Sequence, residues 1–174
     1  MLVNIFDGVW NNGYLMSGGR NLALETSSDW SSWIIPDSNK VNMCALLFKI
    51  YPGDKKVGDI FTLSFDIEVK KFTAGSGGTF DIFFQGAIDN VWEGNNPFVN
   101  ISPVFDFKTK ALAGDFTEHV STTCKIINDD QASAKKFDFG VRCDYSDGTG
   151  KYRIKNLKVE KGTVATDWTP APED

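Results

Sequence analysis

The stretch IFTLSFDIEVK, residues 60–70, alternates strictly between apolar and polar side chains. Every odd-numbered position from 61 to 69 is apolar, and the even-numbered positions from 62 to 70 carry hydroxyl or charged groups. Because successive side chains of a β-strand point to opposite faces of the sheet, this period predicts a strand with one dry face and one wet face.

The same alternation recurs along the chain. It is present in TFDIFFQGAI (79–88), in FDFGVRCDY (137–145) and, more weakly, in DFTEHVSTTCKII (115–127). The breaks between these stretches have turn composition, and no long window has a convincing helical period. The pattern predicts an all-β domain, an antiparallel β-sandwich of the jelly-roll type.

Two further strands depart from simple alternation. VNMCALLFKIY (41–51) is apolar on both faces, which predicts a central strand or one covered by the N-terminal segment. In YRIKNLKVEK (152–161) the apolar phase slips between Ile154 and Leu157, which predicts a β-bulge.

The last residues predict a tail that contacts the domain at one point and continues beyond it without regular structure. Gly162 ends the final strand, and Pro170 and Pro172 prevent further regular structure. Trp168 is a large ring in polar sequence, so we expect it to cover one end of the core. We therefore divide the chain into an N-terminal segment at 1–19 that packs on a partner or preceding domain, a β-sandwich module at 20–163, and a tail or linker at 164–174.

Composition excludes several functions. The 174 residues suffice for one domain, and the net charge of −5 argues against nonspecific binding to nucleic acid or to an anionic membrane. No apolar stretch is long enough to span a bilayer, and the N-terminus lacks the pattern of a secretion signal. We expect a protein made in a cytoplasm, with Cys44, Cys124 and Cys143 as reduced core thiols.

The sequence offers little support for catalysis. The single His119 lies within a strand, without a nucleophile motif or a companion for zinc. Carboxylates are plentiful, but the wet faces of strands explain most of them. We predict no enzyme and no catalytic cofactor. Oxygen-rich loop residues keep a structural Ca²⁺ open as an alternative: Asp37, Asn39, Asp129, Asp130 and Asp147.

Aromatic residues in polar surroundings indicate the binding site. Trp92 lies in a long loop, among amides and carboxylates at Asp89, Glu93, Asn95 and Asn96. An indole covers the C–H face of a sugar ring, and planar polar groups bind its hydroxyls. This loop is therefore a predicted saccharide site, and a lid over the core is the alternative for Trp92.

A second predicted site lies on a strand. Phe83 occupies the polar face of its strand between Asp81 and Gln85. Together with Arg142 on a neighbouring strand, these side chains are predicted to form a shallow groove. The alternative is that another segment covers Phe83. Trp30 is a further, secondary candidate for contact with sugar.

Two stretches resemble known families. GRNLALETSSDWSSW (19–33), with Asn21 and Trp33, and GDIFTLSFDIEV (58–69) resemble the opening strands of jelly-roll carbohydrate-binding modules. IKNLKVEKGTVATDWTPAPED (154–174) resembles the end of modules in tail and baseplate proteins of phages of Gram-positive, especially lactic acid, bacteria. The resemblance implies that Trp33 is a core residue. It also implies a Ca²⁺ site with an acidic residue near Asn156, where this chain has an amide.

These features predict a non-catalytic carbohydrate-binding module of a phage tail or baseplate protein. It would assist adsorption to cell-wall or surface polysaccharide of a Gram-positive host, as part of the virion. Its expected partners are that saccharide and other tail or baseplate proteins, but neither nucleic acid nor membrane. The alternatives are an interaction module of the baseplate without sugar binding and, third, a glycan hydrolase domain.

Overall fold

The computed structural model describes residues 9–11, 14–16, 19–35, 43–50, 55–73, 79–87, 98–100, 105–133, 136–144 and 150–172. These residues form a mostly β structure, as the alternation predicts. The elements are β1 (Val9–Asn11), β2 (Tyr14–Met16), β3 (Met43–Ile50), β4 (Ile60–Lys70), β5 (Thr79–Ala87), β6 (Phe98–Asn100), β7 (Phe105–Asp106), α1 (Lys108–Ala113), β8 (Phe116–Lys125), α2 (Asp129–Ser133), β9 (Lys136–Asp144) and β10 (Lys151–Lys161).

The described strands form three antiparallel sheets. β1 pairs with β2, and β4 lies between β10 and β8 in a three-stranded sheet. The third sheet has the order β3-β9-β5-β6, with β7 also paired to β5. In the described part of the chain β3 therefore lies at one end of its sheet and is not a central strand. Cover of β3 by the N-terminal segment, the alternative, stays a prediction.

The apolar face of the three-stranded sheet forms the core. It consists of Phe61, Leu63, Phe65, Ile67 and Val69 of β4 together with Val120 and Cys124 of β8 and Tyr152, Ile154, Leu157 and Val159 of β10. All are buried, and Phe107 and Ala111 at α1 join the same cluster. Burial of each large side chain contributes roughly 1.5–3 kcal/mol. Cys124 is a free thiol, as predicted, and burial raises its pKa to about 12.

The opposite face of β4 is buried at Thr62, Ser64 and Glu68 and partly buried at Asp66 and Lys70, so the prediction of a wet face is wrong over most of the strand. Thr62, Ser64 and Glu68 retain 1%, 4% and 8% exposure. The physical reason is that two irregular segments, 19–35 and 162–171, pack beside and over this face. Its polar side chains consequently bind protein groups, as when Thr62 Oγ1 donates a hydrogen bond to the carbonyl of Gly162 at 2.8 Å.

Segment 19–35 runs along the outer edge of β10. Backbone hydrogen bonds join Leu22 N to Val159 O, Asn156 N to Ser27 O and Ile34 N to Tyr152 O, at 2.7–2.8 Å. The edge of β10 is thereby covered by chain that is not itself a regular strand.

Asn21 joins this segment to β10 and to the tail. Its side chain is fully buried. The amide oxygen accepts hydrogen bonds from the backbone N–H groups of Ala23 and Val159, at 3.0 and 3.1 Å. The amide nitrogen lies 3.1 Å from the carbonyl oxygen of Leu157 and 3.0 Å from that of Thr169.

The predicted bulge in β10 is confirmed. The pairing of β10 with β4 shifts register between Lys155 and Lys158. Asn156 adopts a positive φ of 55°, a conformation that Asn tolerates better than most residues with a side chain. The extra residue returns Leu157 and Val159 to the apolar face.

The tail is held by a buried ion pair. Lys158 and Glu160 retain 2% and 1% exposure, and Lys158 Nζ lies 3.4 Å from Glu160 Oε2. Lys158 Nζ also donates to Thr166 Oγ1 at 2.6 Å and to the carbonyl of Asp167 at 2.9 Å. Glu160 accepts hydrogen bonds from the backbone N–H groups of Gly19 and Thr166, at 2.7 and 2.8 Å.

We expect Asn21→Ala to lower the free energy of unfolding by about 2–4 kcal/mol, because buried N–H and C=O groups would lose their partners. Urea denaturation followed by circular dichroism measures this. The exposed Thr123→Ala on β8 is the control, with an expected change below about 0.5 kcal/mol. Equal stability of both variants would contradict the role assigned to Asn21.

The bulge predicts unequal losses of stability for two substitutions at Asn156. Asn156→Val should destabilise the protein by about 2 kcal/mol or more, because a β-branched residue disfavours positive φ. Asn156→Gly, which adopts this φ freely, should cost less than about 1 kcal/mol. Urea midpoints compare the two variants, and similar midpoints would refute the bulge conformation.

Candidate functional site

A groove of about 450 Å³ opens on the polar face of the three-stranded sheet. Five separate parts of the chain build it: segment 19–35, strand β4, strand β8, the bulge of β10, and the tail. Its lining residues are Ser28, Ser64, His119, Asn156, Ala165, Thr166, Asp167 and Trp168. The volume lies in the range of small-ligand sites.

Trp168 forms the aromatic wall of the groove. The buried pair Lys158–Glu160 fixes the tail at Thr166 and Asp167, immediately before the indole. Trp168 Nε1 then donates a hydrogen bond to Thr26 Oγ1 at 3.1 Å. The ring is held at both its backbone and its nitrogen, and it remains partly exposed.

Asp66 organises the polar wall. Its two carboxylate oxygens bind different partners: Oδ1 lies 2.7 Å from His119 Nδ1, and Oδ2 accepts a hydrogen bond from Asn156 Nδ2 at 2.6 Å. His119 remains 61% exposed. The carboxylate thus orients an imidazole and an amide toward the same opening.

The groove offers a flat apolar surface beside hydrogen-bonding groups. Ser28 and Ser64 supply hydroxyls that donate and accept, whereas the Thr166 hydroxyl already binds Lys158 and Glu160. Asp167 supplies an exposed carboxylate. A polyhydroxylated ring needs this combination, since its C–H face packs on an aromatic ring while its hydroxyls exchange hydrogen bonds. The mostly polar lining is less suited to a purely apolar ligand.

Trp30 and Trp33 lie elsewhere along the same sheet face, each beside cations. The Trp30 ring centroid is 4.9 Å from Arg153 Cζ and 4.9 Å from Lys155 Nζ. Trp33 lies 4.4 Å from both Arg153 Cζ and Lys151 Nζ. Trp33 is partly exposed, so its interpretation as a core residue is wrong.

Glu68 binds the cations next to Trp33. It lies 2.8 Å from Lys70 Nζ and 2.5 Å from Arg153 Nη2, and it accepts a second hydrogen bond from Arg153 Nε. The hydrogen bond from Lys70, followed by the hydrogen bond and charge of Arg153, lowers the pKa of Glu68 although burial opposes this. The carboxylate therefore stays ionised at neutral pH.

The backbone register locates the residues of the predicted strand site. Asp81 of β5 is the register partner of Arg142 of β9, Phe83 is that of Gly140, and Gln85 is that of Asp138. Cross-strand partners share one face of a sheet, so Asp81, Phe83, Gln85 and Arg142 belong to one face.

The predicted loop site lies outside the described residues. This applies to Trp92 and to its neighbours Asp89, Glu93, Asn95 and Asn96, which stay a prediction. The groove around Trp168 was not predicted. The signals for it were the isolated indole in a polar tail and the phase slip at Asn156.

The structural calcium site stays a prediction, because three of its five predicted ligands lie outside the described residues. Asn156, at the position where the resemblance implies an acidic ligand, uses its amide to donate a hydrogen bond to Asp66. Among the described residues, no group of three or more acidic, His or Cys side chains is arranged to hold a metal. Asp129 has its backbone described in α2, whereas Asp37, Asn39 and Asp147 lie outside the described residues.

Comparison with known proteins identifies a fold relative. No protein-family model and no curated protein matches the chain. The chain is similar to the tripod (BppUct-A-L) from the baseplate of bacteriophage Tuc2009, with 18% identity and a TM-score of 0.51. The match covers 88% of this chain and 59% of that chain, so our chain spans well under two thirds of its relative.

Carbohydrate-binding modules are also among the structural neighbours. A family 16 carbohydrate-binding module has 14% identity and a TM-score of 0.35, over 77% of this chain and 72% of that chain. The CBM22-1 xylan-binding domain from Paenibacillus barcinonensis Xyn10C has 8% identity and a TM-score of 0.37, over 84% and 94%. The neighbours thus include both groups that the sequence resembles.

In the described part of the chain, no helix has the length and hydropathy to cross a membrane.

The lowered pKa of Glu68 predicts a pH-dependent contribution to stability. Its ionised form is stabilised in the folded state, so the contribution is present above the usual pKa of 4.5 and is lost as pH falls through the folded value. Glu68→Gln should unfold more easily than the wild type at neutral pH, by roughly 1 kcal/mol. The difference should shrink in acid. Urea midpoints measure it, and a difference independent of pH would contradict the ion-pair assignment.

Proposed function

We propose that this chain is a non-catalytic carbohydrate-binding module of a phage tail or baseplate protein, which assists adsorption to cell-wall or surface polysaccharide of the host. The observation that carries the proposal is the groove in which the fixed indole of Trp168 faces hydroxyl, amide and imidazole groups. The fold shared with a phage baseplate chain supports the setting.

The proposed architecture is a jelly-roll sandwich. One face of the three-stranded sheet is largely apolar, and it requires cover. Phe107 and Ala111 at α1 belong to that core, and α1 also contacts β5 of the other large sheet. We propose that these two sheets stack through their apolar faces, as residues 20–163 of one module.

Binding to one site would be weak. Stacking of a sugar on a partly exposed indole, with several hydrogen bonds, leaves an affinity in the millimolar to micromolar range after entropy losses. Many copies on one tail tip would convert this affinity into firm attachment through effective concentration. The proposed location in the virion tail supplies such copies, and the C-terminal segment, fixed on the sheet at Thr166 and Asp167, would hold each module at a set distance.

The sites predicted at Trp92 and at Asp81, Phe83, Gln85 and Arg142 remain part of the proposal as second contacts. Hydrolysis is not part of it, because Asp66 is engaged by His119 and Asn156, and Glu68 by Lys70 and Arg153. These hydrogen bonds position the carboxylates as structural groups.

A fluorescent fusion of the full chain tests binding to host cells. Trp168→Ala should weaken cell decoration about tenfold, the loss of roughly 1.4 kcal/mol of stacking. Trp168→Phe should lie between Trp168→Ala and the wild type, since it keeps a ring. Val164→Ala, an exposed change in the same tail, is the matched control and should bind normally.

Two results would contradict the groove assignment. One is unchanged decoration by Trp168→Ala. The other is a loss that instead follows Trp92→Ala combined with Phe83→Ala, which would assign binding to the loop and strand sites. Absence of decoration by the wild-type fusion would favour an interaction module of the baseplate without sugar binding.

A further inference from the structure

Strand β10 places three cations on one face. Lys151, Arg153 and Lys155 occupy alternate positions before the bulge. Their register partners across the strand pair are Lys70, Glu68 and Asp66 of β4, in that order. Alternate residues of a strand share a face and lie ~7 Å apart. Together with Lys70 they form a line of positive charge, called here the cationic row (Lys70, Lys151, Arg153 and Lys155).

Two indoles hold the row in place. Arg153 lies between Trp30 and Trp33, 4.9 and 4.4 Å from the two ring centroids. Lys155 Nζ also lies over the Trp30 ring. Lys151 Nζ and Lys70 Nζ lie 4.4 and 5.6 Å from the centroid of the Trp33 ring. A cation within about 6 Å of an indole centroid is attracted to the ring and loses freedom. The charges are therefore ordered before any ligand arrives.

Within the described part of the chain, the row has more positive charge than its ion-paired carboxylates neutralise. Glu68 pairs with Lys70 and Arg153. Among the described residues, no carboxylate forms an ion pair with Lys151 or Lys155. This excess stands out in a chain whose net charge is −5. The side chains of Lys70 and Arg153 are 41% and 27% exposed to solvent, so the row is accessible.

We propose that the cationic row binds an extended anionic polymer of the cell surface, a saccharide or polyol chain that carries phosphate or carboxylate groups. The inference rests on the proposed function and names the chemical class of its ligand. Cations beside the rings of Trp30 and Trp33 disfavour the stacking of a neutral sugar there. A line of several cations instead favours a ligand that carries several negative charges, and Arg153 and Lys151 supply donors for its oxygens.

Trp30 and Trp33 act as positioning residues in this site. Their rings orient Arg153 and the lysines, and their own contact with the polymer is not required. Trp30→Ala should therefore weaken binding of the anionic polymer without any change in the net charge of the protein. A purely electrostatic attraction to the protein surface would not be altered by this substitution.

The test is affinity electrophoresis of the full chain in gels that contain polyglycerol phosphate, polygalacturonate or neutral dextran. Lys151→Gln combined with Lys155→Gln should weaken binding to an anionic polymer about tenfold. For this double variant, the slope of log K (the binding constant) against log salt concentration should become shallower by roughly 1.5, by analogy with counterion release from nucleic acids. Comparison of the phosphate and carboxylate polymers identifies the anionic group.

The matched control is Lys56→Gln combined with Lys125→Gln. Both residues are exposed, Lys125 pairs with Ile60 at the opposite end of β4, and the net charge changes equally. This control should bind within about twofold of the wild type. An equal loss in both double variants would overturn the inference, as would unchanged binding by the Lys151/Lys155 variant.

Tighter binding to dextran, or to a single-stranded oligonucleotide, than to either anionic polymer would also overturn the inference. The proposed function is tested separately by cell decoration. If decoration depends on Trp168 while the cationic row proves inert, the proposed function stands and the anionic ligand is rejected. If the row binds polymer but no cell is decorated, the proposed function fails and the polymer site stands.

Discussion

The buried pair Lys158–Glu160 is the constraint on which the functional face depends. An ammonium and a carboxylate removed from water each lose several kcal/mol of solvation, and their mutual attraction offsets this only when further hydrogen bonds complete their shells. Here Thr166, Asp167 and Gly19 provide those hydrogen bonds. The tail and the segment 19–35 must therefore stay on the sheet, and Trp168 stays with them.

The bulge at Asn156 solves a different problem on the same strand. β10 must contribute Tyr152 and Ile154, and then Leu157 and Val159, to one core. A regular strand would point the second pair to the opposite face. The extra residue restores the phase and turns the Asn156 amide toward Asp66. Core packing and the polar wall of the groove thus share one cause.

The polar face of the three-stranded sheet carries two different chemistries. Near its centre, Asp66 orients His119 and Asn156 beside Trp168, in a groove suited to hydroxyl groups. Toward the end of β4 at Lys70, indoles and cations form a row suited to anions. A polymer with both hydroxyls and negative charges would have contacts for each along one face. The two proposals are accordingly compatible, and their tests remain independent.

Periodicity in the sequence determined the strands β4, β5, β8 and β9, the phase slip in β10 and the end of that strand near Gly162, because alternation is a local property of the chain. Only the tertiary structure decided that the polar face of β4 is covered, that Trp33 lies beside cations, and that Trp168 lines a groove. These features join residues more than a hundred positions apart, such as Ser28 with Trp168 and Gly19 with Glu160. No local pattern encodes such contacts, since they arise when distant segments satisfy the same buried polar groups.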